Sequence, residues 1–354
     1  MEYRSIRTYM IRAGIVIGWL CILALFLYAP KVLWRSDAKS ITIFTWPMLL
    51  DIDYIKRFEK ETGIKVNVTY YENSQSLISR IQSSQGKGYD LILATDNAID
   101  TLITEGYVQK IDTSKLSFYS DLDPRLLSHY YDPNNEYSVP YFWALYVLGI
   151  DHDYYMAHEP QASWQTIFKN QPGSPSICMT DDAQEATMIA AQYLFGSSSA
   201  VQDPTTWQPI EQLLKEQKRF VEVYSQSRAE SLLATKICPI VLALSSDMWR
   251  LQQAGDHVYS LIPREGTFLI IDGLVITRYT NKQDQVYQFI NFLFSQESLT
   301  HHAYKFGFCP ARRSIVIPDQ QELSDQLDNS TVEFFKNIVP NKLLNDAWIR
   351  VMAE

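Results

Sequence analysis

Between residues 40 and 106 the hydrophobic period switches repeatedly between two and 3.6, and this alternation restricts the chain to an α/β fold. The run SITIFTW (40–46) is β-rich. Residues 51–63 read as a helix opened by Asp51, with Ile52, Ile55 and Phe58 at helical spacing and Gly63 where a left-handed cap belongs. KVNVTYY alternates polar and apolar, as a half-buried strand does. A polar helix at SQSLISRIQSS, a strand at GYDLILAT (88–95) and a helix from Asp96 to Gly106 complete a β-α-β-α-β-α order. That order implies a largely parallel sheet covered by helices.

The turn-rich DPNNEYSVP (132–140) leads into the apolar strand WALYVLGID, after which a second α/β series begins. It runs through SICM, the helix DDAQEATMIAAQYLFG, a helix at 207–224, the apolar ICPIVLAL, the helix SSDMWRLQQAG and the strand FLIIDGLVIT. At 354 residues the chain exceeds one ordinary core and suits two lobes. No flexible linker separates the two series. The chain is therefore expected to cross between lobes in strands near 140–150 and 270–277. The expected division is 39–145 plus 272–317 for one lobe and 146–271 plus 318–354 for the other. Ligands of such folds sit at strand C-terminal ends, where Trp46, Thr95 to Asn97, Asp181 to Glu185 and Asp272 all fall.

Upstream, residues 13–30 (AGIVIGWLCILALFLYAP) carry no charge, and Arg4, Arg7 and Arg12 precede them. At about 1.5 Å per residue this stretch spans about 27 Å against a bilayer core of about 30 Å, so residues 1–38 read as a signal peptide or a retained membrane anchor. The arginines place the N-terminus in the cytoplasm and export everything after residue 38. A net charge of -9 with no basic cluster downstream excludes a nucleic-acid binder, which needs cations to displace counterions from phosphates. Cys178, Cys238 and Cys309 are an odd number without short spacing, so one disulfide is the most they can form, and no CxxC zinc site is written.

The stretch MTDDAQE (179–185) holds three carboxylates with no Lys or Arg beside them. Asp182 and Glu185 are three apart and share a helical face. The helix macrodipole alone accounts for acids in a first turn, with Thr180 or Asp181 as the cap, so spacing leaves both capping and ligand binding open. Adjacent tyrosines (70/71, 130/131, 154/155) leave a ferric-iron site as a further alternative. His301 and His302 diverge by about 100° on a helix and cannot chelate together. No Gly-rich phosphate loop, GxSxG elbow or Cys/His pair in context argues for an enzyme, and no cofactor is called for.

Several blocks resemble the spermidine/putrescine-binding proteins of ABC transporters, within the wider extracellular solute-binding class. They include FTW (44–46), FEKETGIKVNVTYYEN (58–73), YDLILAT (89–95), EGYVQKIDTSKL (105–116), DPNNEYSVPYFWA (132–144), MTDDAQE and IDGLVI (271–276). The resemblance implies a type II periplasmic-binding-protein clam-shell. Such a protein closes on a polyamine and presents it to permease subunits, exported to the periplasmic or outer face of the membrane and held there by, or cleaved from, its N-terminal helix. It also implies a ligand site in which Trp46 and Phe308 are walls, Thr95 and Asn97 are polar contacts, and Asp182, Glu185 and Asp272 take the ammonium groups. Pro47, Leu49, Asn97, Leu244 and Ile270 depart from the family's polar or aromatic residues. The ligand's length therefore stays open, and so do an amine, sugar, amino acid or iron binder on the same fold and a membrane-anchored sensor that has lost transport.

Overall fold

A computed structural model describes residues 17–19, 23, 39–169, 174–255, 257–329 and 331–353. The expected helix at 13–30 lies almost entirely outside these residues, as does Cys21. Among the described residues no helix is long and apolar enough to cross a membrane.

The first series folds as its periodicity predicts. Strands β1 (Ser40–Thr45), β2 (Lys65–Tyr70) and β3 (Leu91–Thr95) are mutually parallel, with β1 between the other two. The Ile52–Thr62 helix is capped by the Asp51 side chain and ends at Gly63 with φ 71°. It presses Ile55 and Phe58 into the core.

The strand β4 (Ser138–Asp151) is buried along its whole length, which explains its unbroken apolar sequence. Beyond it follow β5 (Ile177–Met179), β6 (Val221–Tyr224), β7 (Ile240–Leu244), β8 (Val258–Leu261), β9 (Thr267–Ile276), β10 (Cys309–Pro310) and β11 (Val332–Glu333). The main strand order is β2-β1-β3-β9-β4-β7-β5-β6. β4 pairs antiparallel with β9 from Ser138 to Leu145 and with β7 from Tyr146 to Ile150. One continuous strand thus joins two sheet halves, changing partner between Leu145 and Tyr146. β9 is antiparallel to both β3 and β4, so the first half is mixed, not all parallel.

One local expectation is corrected. The helix expected over 207–224 ends at Lys218, and the alternating Val221–Tyr224 is strand β6. The three described cysteines are all free and buried, so no disulfide forms among them. His301 and His302 both join elements. His301 donates toward Asp51 Oδ2 at 2.7 Å, and buried His302 accepts from the Asp51 backbone N–H at 3.0 Å.

Candidate functional site

The C-terminal ends of β1 and β3 and the middle of β9 meet at Asp272. Thr95 lies directly opposite Asp272 across β3 and β9, and Phe142 lies opposite it across β4 and β9. Trp46, released from β1 by Pro47, turns its indole so that Nε1 donates to Asp272 Oδ1 at 3.2 Å. The Trp46 ring stands edge-on to Phe308 with centroids 5.7 Å apart, and Phe308 is itself buried. Thr95 Oγ1 donates to Asn97 Oδ1 at 2.7 Å. The structure therefore gathers Trp46, Thr95, Asn97, Asp272 and Phe308 around one carboxylate.

Asp182 and Glu185 form a second group at the end of β5. The Ala183–Phe195 helix is capped by Asp182, whose Oδ1 accepts from the backbone N–H of Gln184 and of Glu185 at 2.8 and 3.0 Å. This corrects the expectation that Thr180 or Asp181 would cap. Thr180 Oγ1 instead donates to Glu185 Oε2 at 2.5 Å, and Asp181 accepts from the Gln226 N–H. The Tyr146 hydroxyl, which accepts from Gln226 Nε2 at 2.5 Å, lies near the Glu185 carboxylate. Asp182 is thus spent on the helix end, while Glu185 is the acid held at the end of β5.

The two groups share one sheet face. Phe142, Ala144 and Tyr146 alternate along β4, and Asp272 and Ile270 on β9 lie opposite the first two. Four residues of strand separate Phe142 from Tyr146, about 13 Å at about 3.3 Å per residue. The floor between is apolar and small: Ala144 is buried, and Ile270 is partly open. Leu49 is fully buried and Leu244 nearly so, which makes them core residues, not walls.

The segment after β11, which carries no periodic signal, spans both groups. Phe335 stacks on Phe268 and meets the Tyr146 ring edge-on at 5.0 Å. Its carbonyl and that of Lys336 accept from Gln184 Nε2, while Asn337 Nδ2 donates to the Asn97 carbonyl at 2.9 Å. These residues were not singled out from the sequence.

Desolvation pushes the Asp272 carboxyl up to about 7 against the opposing pull of the Trp46 N–H, and nearby Asp96 adds to the push. Loss of solvent, with Asp182 adding, raises Glu185 to about 8. Asp96, one residue past Thr95, is buried and likewise raised to about 7, mainly by desolvation. Among the described residues no Lys, Arg or His forms an ion pair with Asp96, Asp182, Glu185 or Asp272. Asp96 and Asp272 are buried, Glu185 is partly open and Asp182 is exposed, and a buried carboxylate without a counter-cation is costly unless a cation arrives from outside. Nor do the paired tyrosines converge: the Tyr71 hydroxyl donates to the Leu93 carbonyl, and that of Tyr130 to Asp96.

An α/β fold in two sheet halves, with acids at strand ends over a shared sheet face, is the arrangement of a small-solute binder. The chain belongs to the bacterial extracellular solute-binding protein family, which it matches over residues 53–326. It is 28% identical to the spermidine/putrescine-binding periplasmic protein of Salmonella typhimurium over 275 residues, covering 77% of this chain and 78% of that one. The putrescine-binding periplasmic protein PotF of Escherichia coli is 27% identical over 283 residues, 75% of this chain and 76% of that one. In fold it is similar to the spermidine/putrescine ABC transporter substrate-binding protein PotD of Streptococcus pneumoniae, with a TM-score of 0.76, 20% identity, and coverage of 89% of this chain and 99% of that one.

Proposed function

We propose that this protein captures a polyamine, putrescine or spermidine, in the cleft between its two sheet halves and delivers it to an ABC permease on the periplasmic or outer face of the membrane. The observation that carries this reading is a pair of carboxylate groups without counter-cations, Asp272 at one end and Glu185 at the other of an apolar floor about 13 Å long. A ligand with ammonium groups at its ends and methylenes between matches that pattern of charge. The periplasmic relatives bind such ligands by name.

On this reading Trp46 and Phe308 wall the Asp272 end, and Thr95 and Asn97 supply hydrogen bonds. Glu185 takes the distal ammonium, with Asp182 contributing charge from its capping position. The lobes divide at the change of partner in β4, giving 39–145 plus 272–317 and 146–271 plus 318–354, with one exception in the tail. The Gln321–Asn329 helix belongs to the first lobe, because Arg125 donates to Ser324 O and to Asp328. Closure is a hinge motion about β4 and β9.

Titration calorimetry with putrescine, spermidine and spermine at low salt tests the assignment. Binding of at least one, weakened by added salt, is expected. The absence of both heat and a thermal shift with all three would overturn it, and binding of a neutral sugar or amino acid instead would reassign the site.

A further inference from the structure

Asp96 is a buried acid for which a simple reading of the cleft has no use. Its Oδ2 accepts from the Tyr130 hydroxyl at 2.8 Å, and Oδ1 faces the Ile271 N–H at 3.4 Å, the peptide immediately before Asp272. The Asp96–Thr104 helix packs on β9 at Gly273, where a Cβ would stand 2.8 Å from Ile99 Cδ1. Both side chains are almost wholly buried, and no ion pair among the described residues neutralises either.

We propose that Asp96 is a positioning residue that sets the charge of Asp272, so that the empty pair holds a proton and capture of an alkylammonium at Asp272 expels it to solvent. This rests on the polyamine reading of the same site. Two buried carboxylates, one of them bonded to the peptide before the other, cannot both ionise cheaply in a dry site, and an arriving cation removes the penalty. The groups facing the pair are Tyr71 just past β2, Tyr130 and Tyr131 from the loop before β4, and Asp100 on the helix of Asp96. All are neutral or acidic at neutral pH. Lys336 lies over the ring of Tyr130, 5.5 Å from its centroid, and His129, stacked on Tyr131, is held toward its neutral form by burial. A neutral ligand of the same shape cannot displace the proton, which makes the pair a filter for cations.

The test is calorimetric titration of spermidine into the full chain from pH 6 to 9, at each pH in two buffers of different ionisation enthalpy, so that proton release is counted directly. The native protein is expected to release protons near pH 7 and to bind more tightly as pH rises. Asp96→Asn relieves Asp272, so release at pH 7 falls and the affinity profile moves by about one pH unit toward acid. Tyr130→Phe takes away the hydrogen bond that favours the Asp96 carboxylate, so the pair holds its proton more tightly and the profile moves toward alkali. A role confined to folding would not give shifts of opposite sign. Spermidine binding without proton release, or equal shifts in the two variants, overturns the inference and leaves the polyamine assignment intact; no binding at any pH removes the assignment itself.

Discussion

The Trp46 indole N–H donates to Asp272 Oδ1 at 3.2 Å from a residue 226 positions earlier in the chain. The contact gives the carboxylate a neutral partner, which on the proposed reading leaves its charge for a ligand. Asp272→Asn keeps an acceptor for the indole and deletes the charge. Polyamine affinity is expected to fall by about 30-fold or more, in line with the roughly 2–5 kcal/mol lost when a buried charge pair is broken. The melting temperature of the unliganded variant should equal or exceed that of the native protein at pH 8, because the buried charge is gone. A fall of several degrees would instead make the carboxylate structural.

Glu185 gives a signed prediction for pH. Its carboxyl is raised from 4.5 to about 8, so between those values the folded state holds more proton than the unfolded state. The contribution to stability is therefore fully present below pH 4.5 and is lost as pH rises through about 8. Asp96 and Asp272, raised from 3.8 to about 7, act in the same direction. Chemical denaturation of the unliganded protein should show stability declining from pH 5 to 8, and Glu185→Gln should remove a share on the order of 2–4 kcal/mol of that decline. Saturating polyamine should flatten the curve. A native profile that rises over the same interval would refute the placement of these acids.

Much of the first sheet half was legible because each element states its own period: Ile55 and Phe58 on one helical face, Gly63 at the cap, Leu91 to Ala94 as a buried run. The gathering of Trp46, Thr95, Asn97 and Phe308 around Asp272 followed from matched blocks, since nothing local links residues so far apart. Asp182 shows the limit. Capping and ligand binding ask for the same residue in the same turn, and only the N–H bonds of Gln184 and Glu185 distinguish them. Asp96 stands among the strand-end residues, but its burial and its bond to Tyr130 bring in residues far away in sequence. Phe335 and Asn337 carry no signal of their own, being single side chains on an irregular segment that acts by bridging two helix ends.

Gly307 ends the Gln296–Phe306 helix with φ 79° and lies against the Ser245–Gln253 helix of the other sheet half. An added Cβ would stand 2.5 Å from the Ser246 carbonyl and 2.7 Å from the Trp249 ring. Relief by rotation is closed, because the obstacle is backbone and the glycine conformation is left-handed. Gly307→Ala is expected to destabilise by about 2–3 kcal/mol, visible as a melting temperature lower by about 4–10 °C. It should also weaken ligand binding, since Phe308 follows directly and Trp46 packs on it. An unchanged melting temperature would show that the two helices separate freely.

Asn337 and Gln184 hold the segment after β11 across the cleft, one through the Asn97 carbonyl and the other through the carbonyls of Phe335 and Lys336. Each bond involves an exposed or partly exposed group, so each alone contributes about 0.5–1.5 kcal/mol. Together they fix the distance between the helix ends that carry Asn97 and Glu185. Asn337→Ala and Gln184→Ala should each lower polyamine affinity by about 3- to 10-fold, mainly through faster release, with melting temperatures within about 3 °C of the native protein. The double variant should lose less than the sum of the two, because once one anchor is gone the other no longer sets the spacing. Stopped-flow release of spermidine from the four proteins of the cycle measures the coupling. Strict additivity would mean that the segment covers the cleft without setting its width.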